Sequence, residues 1–541
     1  FLLCSQGFPR FAAGLINTVF TVSIYQFDIS FNLTNLNNIF ICIHGHFYQP
    51  PRENPRTGEI ELQPSAAPFH DWKERIYHEC YLPNTEADIL DETGEIVLEV
   101  NNYEYLNFNF GPTLLAWIKN KHPETYQKII EADKKSIAEH NDHGNAIAMC
   151  YNHMIMPLAN LNDKITQIKW GLADFKYHFG RDSEGIWLPE TACNMETLEV
   201  LIAEEIKYII LDTSQVAAFR KLSETDWLNV IDGSINPKHP YRCYSELNKK
   251  KSIDIFFYDG PVSKAIAFDD VLKSSQNLLE KIISASRSEP EEQMLVSVAT
   301  DGETFGHHKT HSERTLAFFL RSLAPQNMLK IVNFGEYLEF NPPIYEVKLN
   351  TGINDEGTSW SCNHGVKRWK EDCGCGGGGG WNQKWRKPLR ETLDWLRDQL
   401  IILYENMGHV FFQDVWKARN NYIEVILNNS LSNRLNFITN NAVRPLAQSE
   451  IDIVLKLMDM QKDAMLMYTS CGWFFSEISG LETVKILEYA SRAMEIALEL
   501  SGISFEEEFL KRLADAPSNI PKYSTGKGVY EQLVKKNPLL K

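Results

Sequence analysis

The 541-residue chain has no run of about twenty apolar residues, so no segment reads as a membrane-crossing helix. It has no excess of basic residues. Its 54 Lys and Arg face 71 Asp and Glu, a formal charge of −17. Phosphate binding needs clustered cations, so nucleic acid is not the expected partner. A disulfide framework is missing too. Ten Cys are scattered, mostly singly, which fits reduced thiols and a cytoplasmic setting. No internal repeat is present, and nothing in the composition fixes an oligomeric state. Methionine is absent before Met149, and no Ala-x-Ala-like cleavage site follows a basic start. Residues 1–37, apolar patches broken by Asn, therefore read as a foreign or mistranslated extension or a fragment edge in preference to a signal peptide, and are left out of the fold.

What is present is globular: 43% hydrophobic and 23% charged residues, with length for two or three domains of about 100–200 residues each. Twelve Trp, 21 Tyr and 29 Phe suit an enzyme that stacks rings on sugars, although core packing is the commoner use of any single ring.

The first strong strand, 38–43, runs into His44-Gly-His46. A buried parallel strand ending in polar residues is a common way to present chemistry. Residues 50–83, rich in Pro, His and charge, read as a long loop over an active-site mouth. Strands are then expected at 96–100, 185–188, 208–211, 253–258 and 294–299. Helices are expected at 112–119, 124–140, 195–205 and 271–286. Strand, polar tip and helix, repeated, predict an α/β fold on a parallel barrel or sheet. Residues 346–382 carry Cys362, Cys373, Cys375 and five consecutive Gly and read as a linker or surface excursion. Helical periodicity at 389–407, 451–468 and 481–501 predicts an α-helical C-terminal domain. The domain plan is thus an extension at 1–37, a catalytic unit at 38–345, a connecting segment at 346–382 and a helical domain at 383–541.

Three strand tips carry candidate chemistry. His44 and His46, two apart on a strand, share a face and could bind hydroxyls or a metal, or be structural. Glu190 ends Trp187-Leu188-Pro189-Glu190 at a water-poor edge, where a carboxylate can be a nucleophile or an acid of shifted pKa. Asp301-Gly302-Glu303-Thr304-Phe305-Gly306-His307-His308 is dense in titrating groups. Cleavage of a glycosidic bond with retention needs two carboxylates about 5–5.5 Å apart, and two tips of one rim can supply them. Asp259-Gly260 could line the same rim or make a turn.

Together these motifs resemble glycoside hydrolase family 57. His44-Gly-His46-Phe-Tyr-Gln49-Pro50 is similar to its first signature, with two residues inserted before Gln49. Trp187-Leu188-Pro189-Glu190 resembles the third, which carries the nucleophile. Asp301 to Gly306 resembles the fourth, which carries the acid/base Asp. Asn333-Phe334-Gly335-Glu336-Tyr337-Leu338 with Pro342-Pro343 resembles the fifth. Tyr151 to Leu158, including His153, matches the second half of the second region, whose usual Glu is missing around 145–147. The resemblance covers about 38–345, and 358–541 looks like a region of unknown function that follows this domain in some bacterial members. It implies an incomplete (β/α)7 TIM-like barrel, no cofactor, no obligatory metal, and hydrolysis, transglycosylation or branching of α-glucans. It further implies double displacement with Glu190 as nucleophile and Asp301 as acid/base. His44, His46, Gln49, His153, Trp187, Glu303 and His307 are then the expected sugar-binding set.

Two rivals remain open: a metal-dependent polysaccharide deacetylase-like enzyme, since His pairs and Asp on strand tips suit that chemistry, and a catalytically silent glycan-binding protein. Cys362, His364, Cys373 and Cys375, with distant Cys471, could hold zinc or an iron–sulfur cluster. The Cys-x10-Cys-x-Cys spacing is no standard ribbon or knuckle, and buried or redox-silent thiols are the preferred reading.

Overall fold

The computed structural model describes residues 39–231, 233–286, 293–376 and 380–535; the expected extension at 1–37 lies outside them. The α/β half is organised on a series of short, buried strands: β1 (Ile39–Phe47), β2 (Asn107–Phe110), β3 (Ala148–Met149), β4 (Ile186–Trp187), β5 (Tyr208–Leu211), β6 (Ser252–Phe257) and β7 (Met294–Asp301). β7 and β2 both pair in parallel with β1, so His46 lies beside Asp301 on one side and Asn109 on the other. A parallel bridge, Phe108 to Ala146, leads from β2 towards β3, and β3 pairs in parallel with β4. A Gly185–Tyr208 bridge continues to β5, which is parallel to β6. Just past β6, Asp259 N–H donates to Ser297 O of β7 at 2.7 Å.

Alternation explains the burial. Ile41, Ile43, Phe108, Ile209, Leu211, Ile255, Phe257 and Val296 share one apolar cluster. The intervening Cys42, Met149, Trp187, Tyr208, Ile210, Phe256 and Leu295 form another. A strand covered on both faces reads as a continuous apolar run, as β5 and the first part of β1 do. Beyond β6 the sheet extends through Pro240–Tyr244, Tyr345–Leu349, Val216–Lys221 and Leu228–Asn229. The strand Tyr345–Leu349 straddles the expected boundary at 345.

Two segments differ from expectation. Residues 50–83 are not simply a loop. Asp71 caps a helix at Trp72–Ile76, and helical turns continue to Thr85 with Cys80 and Tyr81 fully buried. Nor are the described residues of 346–382 only a surface excursion, for Cys362, Val366 and Trp369 are buried in the core of the C-terminal helices.

The C-terminal half is helical, with long helices at Arg386–Phe411, Gln448–Leu466 and Leu481–Ser501. Their core (Leu389, Leu393, Leu396, Val454, Leu457 and Leu487 among others) also takes in Tyr151, Met154, Ile155 and Trp170 of the α/β half. Among the described residues, no helix is long and apolar enough to cross a membrane.

Candidate active site

The histidines of the first motif are wired into one directional chain. Asn107 Nδ2 donates to Asn145 O at 2.8 Å, which turns its oxygen to His44 Nδ1, 2.7 Å away. Burial lowers His44 to about 4, so at neutral pH it carries one N–H, on Nδ1, and its Nε2 is an acceptor. The Asn109 amide bridges His44 Nε2 and His46 Nδ1, 3.0 Å from each. The two ends of an amide are alike in shape. In the structure its Oδ1 faces His44 Nε2 and its Nδ2 faces His46 Nδ1; an acceptor at His44 Nε2 calls for the amide turned over, with NH2 towards His44 and the oxygen accepting from His46 Nδ1–H. His46 Nε2 then accepts from His153 Nε2–H at 3.1 Å, and His153 Nδ1 accepts from the Ser470 hydroxyl at 2.6 Å. Burial, and then the neighbouring His153 and His44, hold His46 well below its usual value; burial lowers His153 to about 3. Trp187 is a floor beneath this chain, stacked on His44 at 4.8 Å and His46 at 5.0 Å. Trp187 and His44, expected on the sugar, are fully enclosed.

Glu190 sits just past β4 with φ 59°, and Thr191 follows with φ 50°. Such left-handed residues cost about 1–3 kcal/mol each and persist where surroundings over-determine them. Here Trp360 N–H donates to Glu190 O and to Thr191 Oγ1, each at 3.1 Å, while Gln215 Nε2 donates to Thr191 O at 2.9 Å. The carboxylate accepts from Trp360 Nε1 at 3.0 Å and from Ser361 Oγ at 2.6 Å, both on Oε2. Burial raises the Glu190 pKa, and those two donors with the Arg368 charge oppose the rise.

Asp301 ends β7. Burial first, and then the Glu190 charge, push its carboxyl up to about 7. Glu303, two residues on, accepts from Tyr48 N–H at 3.0 Å and Tyr81 OH at 2.7 Å. Burial raises it to about 8; the Tyr81 hydrogen bond opposes this and the Asp301 charge adds to it. The site thus holds two carboxyls raised to about 7 and about 8, the first about half and the second mostly protonated at pH 7, and a third carboxylate carrying two strong donors.

Other expected residues have partners of their own. Gln49 accepts from Arg52 at 3.0 Å, and His307 pairs with Glu79. Asp259 caps the helix at Gly260–Phe268 by accepting from Val262 N–H at 2.9 Å, which realises the turn reading. Asn145, where the second motif lacks its Glu, is built into the fold through Tyr103 O, Glu104 O and the Asn333 amide. Cys471 lies against Tyr48 and within reach of the Glu190 charge, apart from the other cysteines. The sequence reading missed Asn107, Asn109, Tyr81, Trp360, Ser361 and Ser470. Only the first two had a signal: Asn at alternate positions in a strand-like Asn-Phe-Asn-Phe.

Residues 31–348 match the Glycosyl hydrolase family 57 model. The chain belongs to that family. Family 57 enzymes are retaining glycoside hydrolases and transglycosylases. Residues 381–539 match a Domain of unknown function (DUF3536). Alpha-amylase 1 of Dictyoglomus thermophilum is 24% identical over 264 residues, 47% of this chain and 34% of the relative. The match therefore spans about a third of that relative's length. Among solved structures, the exo-type maltose-forming amylase of Pyrococcus sp. ST04 is similar with a TM-score of 0.65 at 14% identity, covering 88% of this chain and 82% of that one. The family 57 branching enzyme of Thermococcus kodakaraensis gives 0.53 at 12% identity, covering 88% and 94%. At these identities the likeness is one of fold.

Proposed function

We propose that this family 57 member cleaves or transfers α-glucosidic bonds by double displacement, with Glu190 as nucleophile and Asp301 as acid/base. The observation that carries the reading is the division of labour between two coupled carboxyls. Asp301, at about 7, is available as a proton donor. Glu190 keeps two hydrogen-bond donors on its charged form. Retaining cleavage needs this pairing. Glu190 attacks the anomeric carbon as Asp301 protonates the departing oxygen. Asp301 then takes a proton from water, or from an acceptor hydroxyl, as the glycosyl–enzyme bond breaks.

An α-glucan substrate is supported by the amylase and branching-enzyme relatives. The series of parallel strands supports an incomplete (β/α)7 barrel as the catalytic frame, and the free thiols support a cytoplasmic setting. The deacetylase-like reading draws no support from the histidines, whose ring nitrogens are taken up by amides, by one another and by Ser470.

Glu190→Gln is expected to abolish turnover of maltooligosaccharides and glycogen with an unchanged circular dichroism spectrum. Asp301→Ala should lose about 10²–10⁴-fold and be rescued by azide, giving a glycosyl azide of retained configuration by NMR. Near-normal turnover in Glu190→Gln would sink the assignment.

A further inference from the structure

Immediately after Ser361 the chain makes a second constellation. Cys362, His364, Cys373 and Cys375 each offer one ligand atom, and these atoms all lie within 4.8 Å of one another. Cys362 Sγ is 3.9 Å from Cys373 Sγ, and Cys375 Sγ is 3.3 Å from His364 Nδ1. A tetrahedral zinc ion, with bonds of about 2.3 Å to sulfur and 2.0–2.1 Å to nitrogen, holds its ligand atoms about 3.8 Å (S to S) and about 3.6 Å (S to N) apart. The Cys362–Cys373 and Cys375–His364 separations agree with these within a few tenths of an ångström, and the others lie within 4.8 Å.

The backbone is shaped for this convergence. Gly374, between two of the cysteines, has φ 75° with open space where a side chain would be, so Cys373 and Cys375 bend around it. Gly365, φ 77°, closes a turn in which its N–H donates to Cys362 O at 3.0 Å, and this brings His364 beside Cys362. A Cβ at Gly365 would lie 2.7 Å from Gly357 O. Charge is also provided for. Three thiolates and Zn²⁺ leave one negative charge, and the buried Arg386 guanidinium sits 4.0 Å from Cys373 Sγ, fixed by Phe474 O and Phe475 O at 3.2 and 3.3 Å. Three thiolates and one imidazole make a closed, soft set that suits structural zinc. Iron–sulfur clusters use four protein ligands, as a rule all thiolates, and Cys471, the thiol that could complete such a set, lies elsewhere.

We propose that Cys362, His364, Cys373 and Cys375 bind one structural zinc ion that clasps the 358–375 segment and so holds Trp360 and Ser361 on Glu190. The clasp rests on the role of Glu190 proposed above; the ion does not. Apart from isolated bridges and a short 3-10 turn at Lys367–Trp369, the segment has no regular structure. A cross-link between its ends removes freedom that little else restrains.

The test uses the full chain, purified without chelator. Elemental analysis should find about one zinc per chain, falling at least tenfold in Cys373→Ser/Cys375→Ser. Replacement by Co²⁺ should give the intense visible bands and thiolate charge-transfer absorption of a tetrahedral site. Chelator-treated protein should lower Tm and alter tryptophan fluorescence, and zinc should restore both. A folded, reduced chain that retains neither zinc nor cobalt after incubation and dialysis overturns the site. So does iron in place of zinc, or a Cys362–Cys373 disulfide in zinc-treated protein. Zinc whose removal leaves turnover unchanged overturns the clasp. Turnover in Glu190→Gln would instead overturn the catalytic reading, with the zinc content unaffected.

Discussion

Asp301 is held near 7, against about 3.9 for an unstrained aspartate. Its folded-state pKa is raised, so the folded chain binds this proton more tightly than the unfolded one. The stability that follows is present below about pH 4 and is lost as pH rises through about 7. Asp301→Asn should therefore be more stable than the parent at pH 8, by roughly 2–4 kcal/mol on the scale of 1.36 kcal/mol per pKa unit, and little different at about pH 4. Urea unfolding at the two pH values checks this; equal differences at both would show that Asp301 does not titrate as described. In the parent enzyme kcat/KM should fall above about pH 7 as Asp301 loses its proton. The two acids and the His pair were legible in the sequence because each stands in a contiguous motif at the end of an apolar strand. Trp360 and Ser470 were not. They meet Glu190 and His153 across 170 and 317 residues, and neither lies in a periodic pattern that points inward.

Elements were read well where period and length agreed. The strands at 208–211 and 253–258 and the helices at 124–140 and 481–501 stand within a residue or two of expectation. Composition misled where it replaced period. Pro and His made 50–83 look like a loop, yet its short helical turns bury Cys80 and Tyr81. Glycine and cysteine made 346–382 look like a linker, yet Cys362, Val366 and Trp369 enter the helical core. Another element hinges on one missing side chain. In the helix Leu161–Phe179, a Cβ on Gly171 would lie 1.9 Å from Met149 O, so only glycine lets this helix close on β3. Gly171→Ala should cost at least about 1–3 kcal/mol, read as a lowered Tm. Through Met149 and Cys150 it should also shift His153, so turnover should fall more than the lost stability explains.

At the scale of the whole molecule, the two halves are joined by buried polar contacts as well as by apolar ones. Arg419 of the helical half reaches Asp163 at 2.8 Å, Thr166 Oγ1 at 3.1 Å and Gln461 Oε1 at 3.0 Å, and is almost fully buried. Removing one partner of such a pair strands the other charge, so Arg419→Ala should destabilise by about 3–5 kcal/mol. Because Trp170 and Ile155 pack in the helical core, calorimetry of the parent should show one cooperative transition. Two well-separated transitions would show that the halves fold independently. Ser470 adds a different kind of dependence. Its hydroxyl donates to His153 Nδ1, the outermost acceptor of a chain whose direction is set at the other end by the Asn145 carbonyl. A chimaera that exchanged residues 381–539 for an unrelated helical bundle would leave the buried Nδ1 of His153 without its donor. An incoming segment must therefore bring a hydrogen-bond donor of its own to that spot.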